Sequence, residues 1–196
     1  MNPRNLTRYS RVAVLLHWTL AVLVIAMLVA GTLMVDMTPG SEDQFRLYQL
    51  HKSVGITILA LTLLRIVWRI VTPPPLLPLS LALWERVAAH LSHLGFYVLM
   101  LALPLSGWAL VSASPWGIPT VLFGVIDLPN LPFFAGLDSE VAEGIEGQIG
   151  EVHEILGKIT IGLILLHVLA ALKHHFIDHD NVLVRMLPFL ERRERG

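Results

Sequence analysis

The stretch EVHEILGKITIGLILLHVLAALKHH, residues 151–175, places two histidines inside an otherwise apolar run. A helix of about 20 apolar residues crosses the roughly 30 Å hydrocarbon core of a bilayer. His153 and His167 are fourteen residues apart. At about 100° per residue that separation is some 1400°, so the two rings return to within roughly 40° of each other on one face. Along the axis they lie about 21 Å apart, one near each side of the membrane. Ionisable side chains within a span are costly and mark functional positions. Two of them in register at opposite depths predict two stacked sites on one helix, and haem iron takes such ligands.

Composition agrees with a membrane setting. The chain of 196 residues is 55% hydrophobic and 15% charged, with mean hydropathy +0.67. A soluble domain carries about 25% charged residues. The net charge of −1 carries no information about partners by itself, and no nucleic-acid role is expected. With no cysteine, disulfides, thiolate-ligated iron–sulfur clusters, c-type haem attachment and a cysteine nucleophile are excluded.

Read in order, the chain predicts an all-α membrane protein with spans over about 12–35, 47–71, 86–113 and 149–175, forming a single domain over 1–196. The first apolar run is longer than the about 7–15 residues of a signal-peptide core, so it reads as a retained helix. Pro73-Pro74-Pro75 closes the second span, because proline cannot continue a helix. Pro104 and Gly107 predict a kink in the third. Residues 114–150 are too broken by Pro and Gly to span. Their first half suits the membrane interface, and their second half a short acidic helix or loop. Orientation follows from Lys and Arg in the loops. Arg4, Arg8 and Arg11 precede the first span, and Arg185, Arg192, Arg193 and Arg195 follow the fourth. The loop 114–150 has neither Lys nor Arg and carries Asp127, Asp138, Glu140, Glu143 and Glu146. Both termini are therefore expected in the cytoplasm, with the acidic loop outside.

Spans two and four run the same way and align. His51-Lys-Ser-Val-Gly55 matches His153-Glu-Ile-Leu-Gly157. In each, the glycine lies about 40° around the same face as the histidine, and a bare Cα there makes room for a flat macrocycle. Where span four has His167, span two has Arg65. Depth then pairs His51 with His153 at the outer level. His167 needs a partner in the cytoplasmic half. Spacing favours His17, with Gly31 fourteen residues beyond it, over His90 and His93. The plainer reading of a lone membrane histidine is a ring satisfied by a neighbouring hydroxyl or carbonyl. Four matched by depth, face and flanking glycine argue against it. Structural zinc would want four ligands at one depth.

Arg65, on the ligand face, is the candidate for the inner haem's propionates, since the guanidinium fork matches a carboxylate. Arg8, Arg11 and Arg69 read first as positive-inside anchors, and Lys52 and Lys158 as candidates for the outer propionates or as snorkelling anchors. His174, seven residues past His167 and within roughly 20° of its face, is the candidate for a quinone pocket, because quinone reduction takes up protons. The five tryptophans read as interface-belt anchors.

The ordered set LLHW at His17, HKSVG at His51, LLRIVWR, AAHLSHLGFYVLMLALPLSGW, HEILG, LLHVLAALKHH and RMLP resembles the bacterial cytochrome b561 family over nearly the whole chain. The resemblance implies a four-helix transmembrane bundle with two haem b groups. It implies His17 paired with His167 and His51 with His153, and a carrier that passes single electrons to ubiquinone. Some members of that family oxidise superoxide outside the membrane. The alternative class is a membrane-anchor subunit relaying electrons from a partner dehydrogenase or hydrogenase, and a metal-ion transporter is a third. Expected partners are membrane lipid, ubiquinone, and a small-molecule or protein electron donor.

Overall fold

The computed structural model describes residues 8–77 and 81–187. Arg4, Arg192, Arg193 and Arg195, used above for orientation, lie outside the described residues. Four helices dominate: α1 (Arg11–Asp36), α2 (Glu42–Val71), α3 (Leu83–Ala113) and α4 (Ser139–Phe176). Each is long and apolar enough to cross a membrane. Between α3 and α4 lie a two-stranded antiparallel hairpin, β1 (Thr120–Leu122) and β2 (Ile126–Leu128), and a 3-10 turn over Pro132–Phe134.

All four helices begin earlier than the hydropathy pattern places them, α2 and α4 by the most. The second span was expected near residue 47, but α2 starts at Glu42. Ser41 caps it by accepting a bond from the Gln44 amide at 3.2 Å, and Glu42 and Asp43 suit the positive end of the helix dipole. The acidic segment before the fourth span is neither a loop nor a separate helix. It forms the opening turns of α4, which follows Asp138 and runs unbroken for 38 residues. That is about 57 Å of helix, so its first turns project well beyond a hydrocarbon core of roughly 30 Å. Hydropathy measures where a helix meets lipid and is blind to where it starts.

Packing is sequential: α1 lies on α2, α2 on α3 and α3 on α4, whereas α1 and α4 make no comparable approach. Helix contacts are made by small polar side chains, as lipid-embedded helices require. Ser53, Thr62 and Thr160 are essentially inaccessible, while Leu, Ile and Val crowd the outer surface.

The hairpin is pinned across the near ends of α2 and α3, called the outer ends after the orientation expected from the loop charges. Ser53 Oγ gives its hydrogen to the Gln49 carbonyl and accepts the Phe123 amide at 2.9 Å. Gln49 and Lys52 both donate to the Pro119 carbonyl. From α3, Ser112 accepts the Leu131 amide and Trp108 donates to the Pro129 carbonyl. At the inner end the chain folds back after α4. Trp18 donates to the Met186 carbonyl at 2.9 Å and Arg185 to the Leu76 carbonyl. Trp68 donates to Ser10. Three of the five tryptophans therefore spend their N–H on tying helix ends together.

Lys173 anchors this inner end to Glu85 of α3 at 2.8 Å and to Asp178 at 2.6 Å. Glu85 also caps α3 by accepting the Ala82 amide.

Two outcomes follow. Removing the buried acceptor in Ser53→Ala leaves the Phe123 amide unpaired, a loss of about 1–3 kcal/mol. Amide hydrogen exchange across residues 120–128 will accelerate while that of the helices holds. The Lys173 ammonium, by hydrogen bond and charge, holds the Asp178 carboxyl below its ordinary pKa. A depressed folded pKa contributes stability that is complete above the unfolded value and is lost as pH falls through the folded one. The fold-back is therefore expected to hold through the ordinary carboxylate range and loosen only below it. In Lys173→Met, protease sensitivity of residues 177–187 will rise and lose that acid-side step.

Candidate functional site

Four helices bring five histidines into two levels. At the outer level, by the hairpin, His51 of α2 faces His153 of α4 with ring centres 6.3 Å apart and planes at 71°. At the inner level His17 of α1 faces His167 of α4, with centres 6.4 Å apart and planes at 67°. Two imidazoles bound to one metal from opposite sides need two bonds of about 2 Å plus the two half-rings, which fills these gaps. The fourteen-residue spacing along α4 therefore meets partners on two different helices, one at each depth.

The second coordination layer differs at every ring. Ser106 Oγ donates to the Leu103 carbonyl at 2.9 Å, which spends its only hydrogen. Its 2.8 Å contact with His153 Nδ1 is therefore a bond donated by the ring N–H, and Nε2 keeps its lone pair for a metal. His51 Nδ1 is buried with no hydrogen-bond partner. His17 Nδ1 lies 3.4 Å from Arg65 Nη2. His167 is boxed by the Phe96 ring at 5.2 Å and the His93 ring at 5.9 Å.

Glycines shape the outer level, though not as expected. The bare sites at Gly55 and Gly157 face α1, where an added Cβ would meet Met27 at 3.7 Å and Leu28 at 4.0 Å. Rings lie instead against Gly31 and Gly107. A Cβ at Gly31 would stand 3.6 Å from His51 Cε1, and one at Gly107 would stand 3.2 Å from His153 Cε1. In the sequence Gly107 reads as part of a kink with Pro104, and nothing on α3 alone shows that it faces His153. Ser106 was missed for the same reason.

Arg65 sits at the inner level as the α2/α4 alignment expected. Its Nε points to the Tyr97 hydroxyl at 3.4 Å, and its Nη1 is buried without a partner. Below it is a cavity of about 30 Å³. Arg8, Arg69, Tyr9, Trp68 and Tyr97 help to form its walls, and among the described residues no carboxylate does. Burial raises the Tyr9 hydroxyl pKa there. Room for one small group beside an orphaned guanidinium corner fits a carboxylate such as a haem propionate. Lys52 and Lys158, in contrast, are engaged with Pro119 and Glu154. His90 bonds the carbonyl of Arg86 on its own helix, and His93 joins the inner cluster. His174 is buried at the end of α4, its Nδ1 2.7 Å from Asp180 and 3.1 Å from Asp178.

An apolar bundle with paired histidines at two depths and, at one of them, a buried Arg65 corner without a hydrogen-bond partner defines a class: membrane cytochromes of the b type. The family model for prokaryotic cytochrome b561 matches residues 8–189, and the chain belongs to that family. It is accordingly a multi-pass membrane haem protein of electron transport. Among characterised relatives it is 34% identical to cytochrome b561 homolog 2 of Escherichia coli (strain K12), over 92% of this chain and 91% of that one. Cytochrome b561 homolog 1 of the same organism is 32% identical, over 93% and 98%. The probable superoxide oxidase CybB of Yersinia pestis is 31% identical, over 92% and 96%.

Bulk at the glycine under His153 tests this geometry. Gly107→Val will displace the ring and cut haem retention at the outer level, read as a lower haem-to-protein ratio. The same change at Gly117, where nothing lies within 4 Å but φ is +59°, will strain only the loop and leave the ratio intact.

Proposed function

We propose that this chain holds two haem b groups, with His51 and His153 as axial ligands of the outer iron and His17 and His167 of the inner one. In this reading it passes single electrons across the bacterial inner membrane, from an external donor to ubiquinone. The two ring pairs, each with centres about 6 Å apart on helices that cannot approach further, are the observation that carries the proposal. Haem b supplies the one-electron chemistry when bound. The residues do the rest. With all four imidazoles engaged as ligands no open coordination site would remain, which would favour electron transfer over oxygen chemistry. Ser106 fixes the tautomer of His153. Arg65 is placed to receive an inner propionate. Gly31 and Gly107 give the outer rings room against the backbones of α1 and α3.

Both termini are assigned to the cytoplasm from the basic residues at their borders. His174 gives its Nδ1–H to Asp180 and lies 3.1 Å from Asp178, a polar group at that inner end from which a reduced quinone can be protonated. Superoxide is a candidate donor because the relative from Yersinia pestis bears the name of a probable superoxide oxidase. A second reading, an anchor that relays electrons from a partner dehydrogenase or hydrogenase, predicts stable co-purification with a soluble redox subunit.

The purified protein will show a reduced-minus-oxidised b-type spectrum with a haem-to-chain ratio near two. His17→Ala, His51→Ala, His153→Ala and His167→Ala will each lower it, and His93→Ala will not. A ratio near one removes one pair. If His93→Ala empties the inner level and His17→Ala leaves it full, the inner ligand is reassigned to α3.

A further inference from the structure

We infer that the β1–β2 hairpin is part of the outer cofactor pocket: the Thr120 hydroxyl and the Lys52 ammonium form a cradle for a haem propionate carboxylate. This rests on the outer ligand pair proposed above and names the groups that hold the edge of the same macrocycle.

Thr120 supplies the unexplained donor. It is 2% exposed, and its Oγ1 has no hydrogen-bond partner among the described residues. Buried hydroxyls on the helices are satisfied locally: Ser53, Ser112 and Thr160 each donate to the carbonyl four residues back. A strand offers no such carbonyl, so the Thr120 hydroxyl needs a partner from elsewhere. Thr62 Oγ1 also lacks a partner, but it stands eleven residues past His51 on α2, about 16 Å further in.

Lys52 supplies the charge. The Pro119 carbonyl, 2.9 Å from Lys52 Nζ, is bonded directly to the Thr120 nitrogen, so ammonium and hydroxyl stand at one place. That neutral acceptor takes one of the three ammonium hydrogens and none of the charge. Among the described residues no carboxylate pairs with Lys52. The hairpin's own acid, Asp127, is in register with Val121 and so lies on the other face from Thr120. On α2, Ser53, which accepts the hairpin's Phe123 amide, lies about 100° to one side of Lys52, and His51 about 100° to the other. The cation therefore sits where the hairpin side of the helix meets the ring side.

This chemistry suits a carboxylate. A haem carries two on one edge, and hydrocarbon rejects ionised groups, so that edge turns towards water. At the outer level the hairpin covers the way out. A carboxylate accepts a hydrogen from the hydroxyl and another from the ammonium, and its charge offsets that of Lys52.

The test uses the haem-loaded protein in the His17→Ala background, where the outer haem remains. Resonance Raman reads the propionate deformation band, which shifts with hydrogen bonding at the carboxylate. Transfer to a haem-scavenging globin reads retention. Thr120→Val and Lys52→Met should each shift the band and speed transfer roughly tenfold, the worth of one hydrogen bond to a charged group. Thr120→Ser and Lys52→Arg should restore both readings, and Asp127→Asn should change neither. Faster transfer with an unmoved band means that these side chains merely fasten the hairpin, which overturns the cradle and leaves the ligand pairs standing. If Thr120→Val loads no haem, the band in Lys52→Met decides. If the His17→Ala protein keeps both haems, or loses the outer one, the ligand pairs fall and the cradle falls with them.

Discussion

Two imidazoles facing each other across about 6 Å, at two depths, constrain everything else in this protein. The rings of α4 must point inward at residues 153 and 167, which fixes the rotation of that helix about its axis. The partners lie on different helices, so α1 and α2 must each stand opposite α4 at the matching height. Their backbones cannot close on α4 without destroying the gap. The bundle therefore takes its cohesion from the α1–α2, α2–α3 and α3–α4 contacts, which small buried hydroxyl side chains such as Thr62 and Thr160 allow to be close. α3 has no proposed ligand, yet it supplies the hydroxyl and the bare backbone that seat His153.

The ends of the bundle are held by polar contacts rather than by apolar burial. Outside, the hairpin is fastened through Ser53, Lys52, Trp108 and Ser112. Inside, Lys173, Trp18 and Arg185 tie the chain after α4 to α3, to α1 and to the connector after α2. These contacts lie where water competes, so each contributes modestly, but together they set the heights of helices whose sides slide easily in lipid.

Much of this was legible in the sequence, and the reasons are physical. Four apolar runs fix the span number, because lipid tolerates little else. The fourteen-residue spacing fixes two levels, because helix geometry is regular. Helix starts were misjudged where Ser41 and Asp138 begin helices in polar sequence, since a cap is a local signal and hydropathy is an average. Gly31, one ligand spacing beyond His17, does lie at the outer level against His51, whereas the analogy between α2 and α4 that points to Gly55 and Gly157 does not reveal that Gly107 backs His153. Which helix faces which ring is a tertiary property that periodicity on a single helix cannot give. His93 illustrates the same limit, since its nearness to His167 depends on how α3 rotates.

The looser packing of α1 against α4 bears on assembly as well as on function. A greasy macrocycle dissolves in the hydrocarbon layer rather than in water, so it can reach these rings sideways, after the chain has been threaded into the bilayer. The α2–α3–α4 packing need not come apart to admit it.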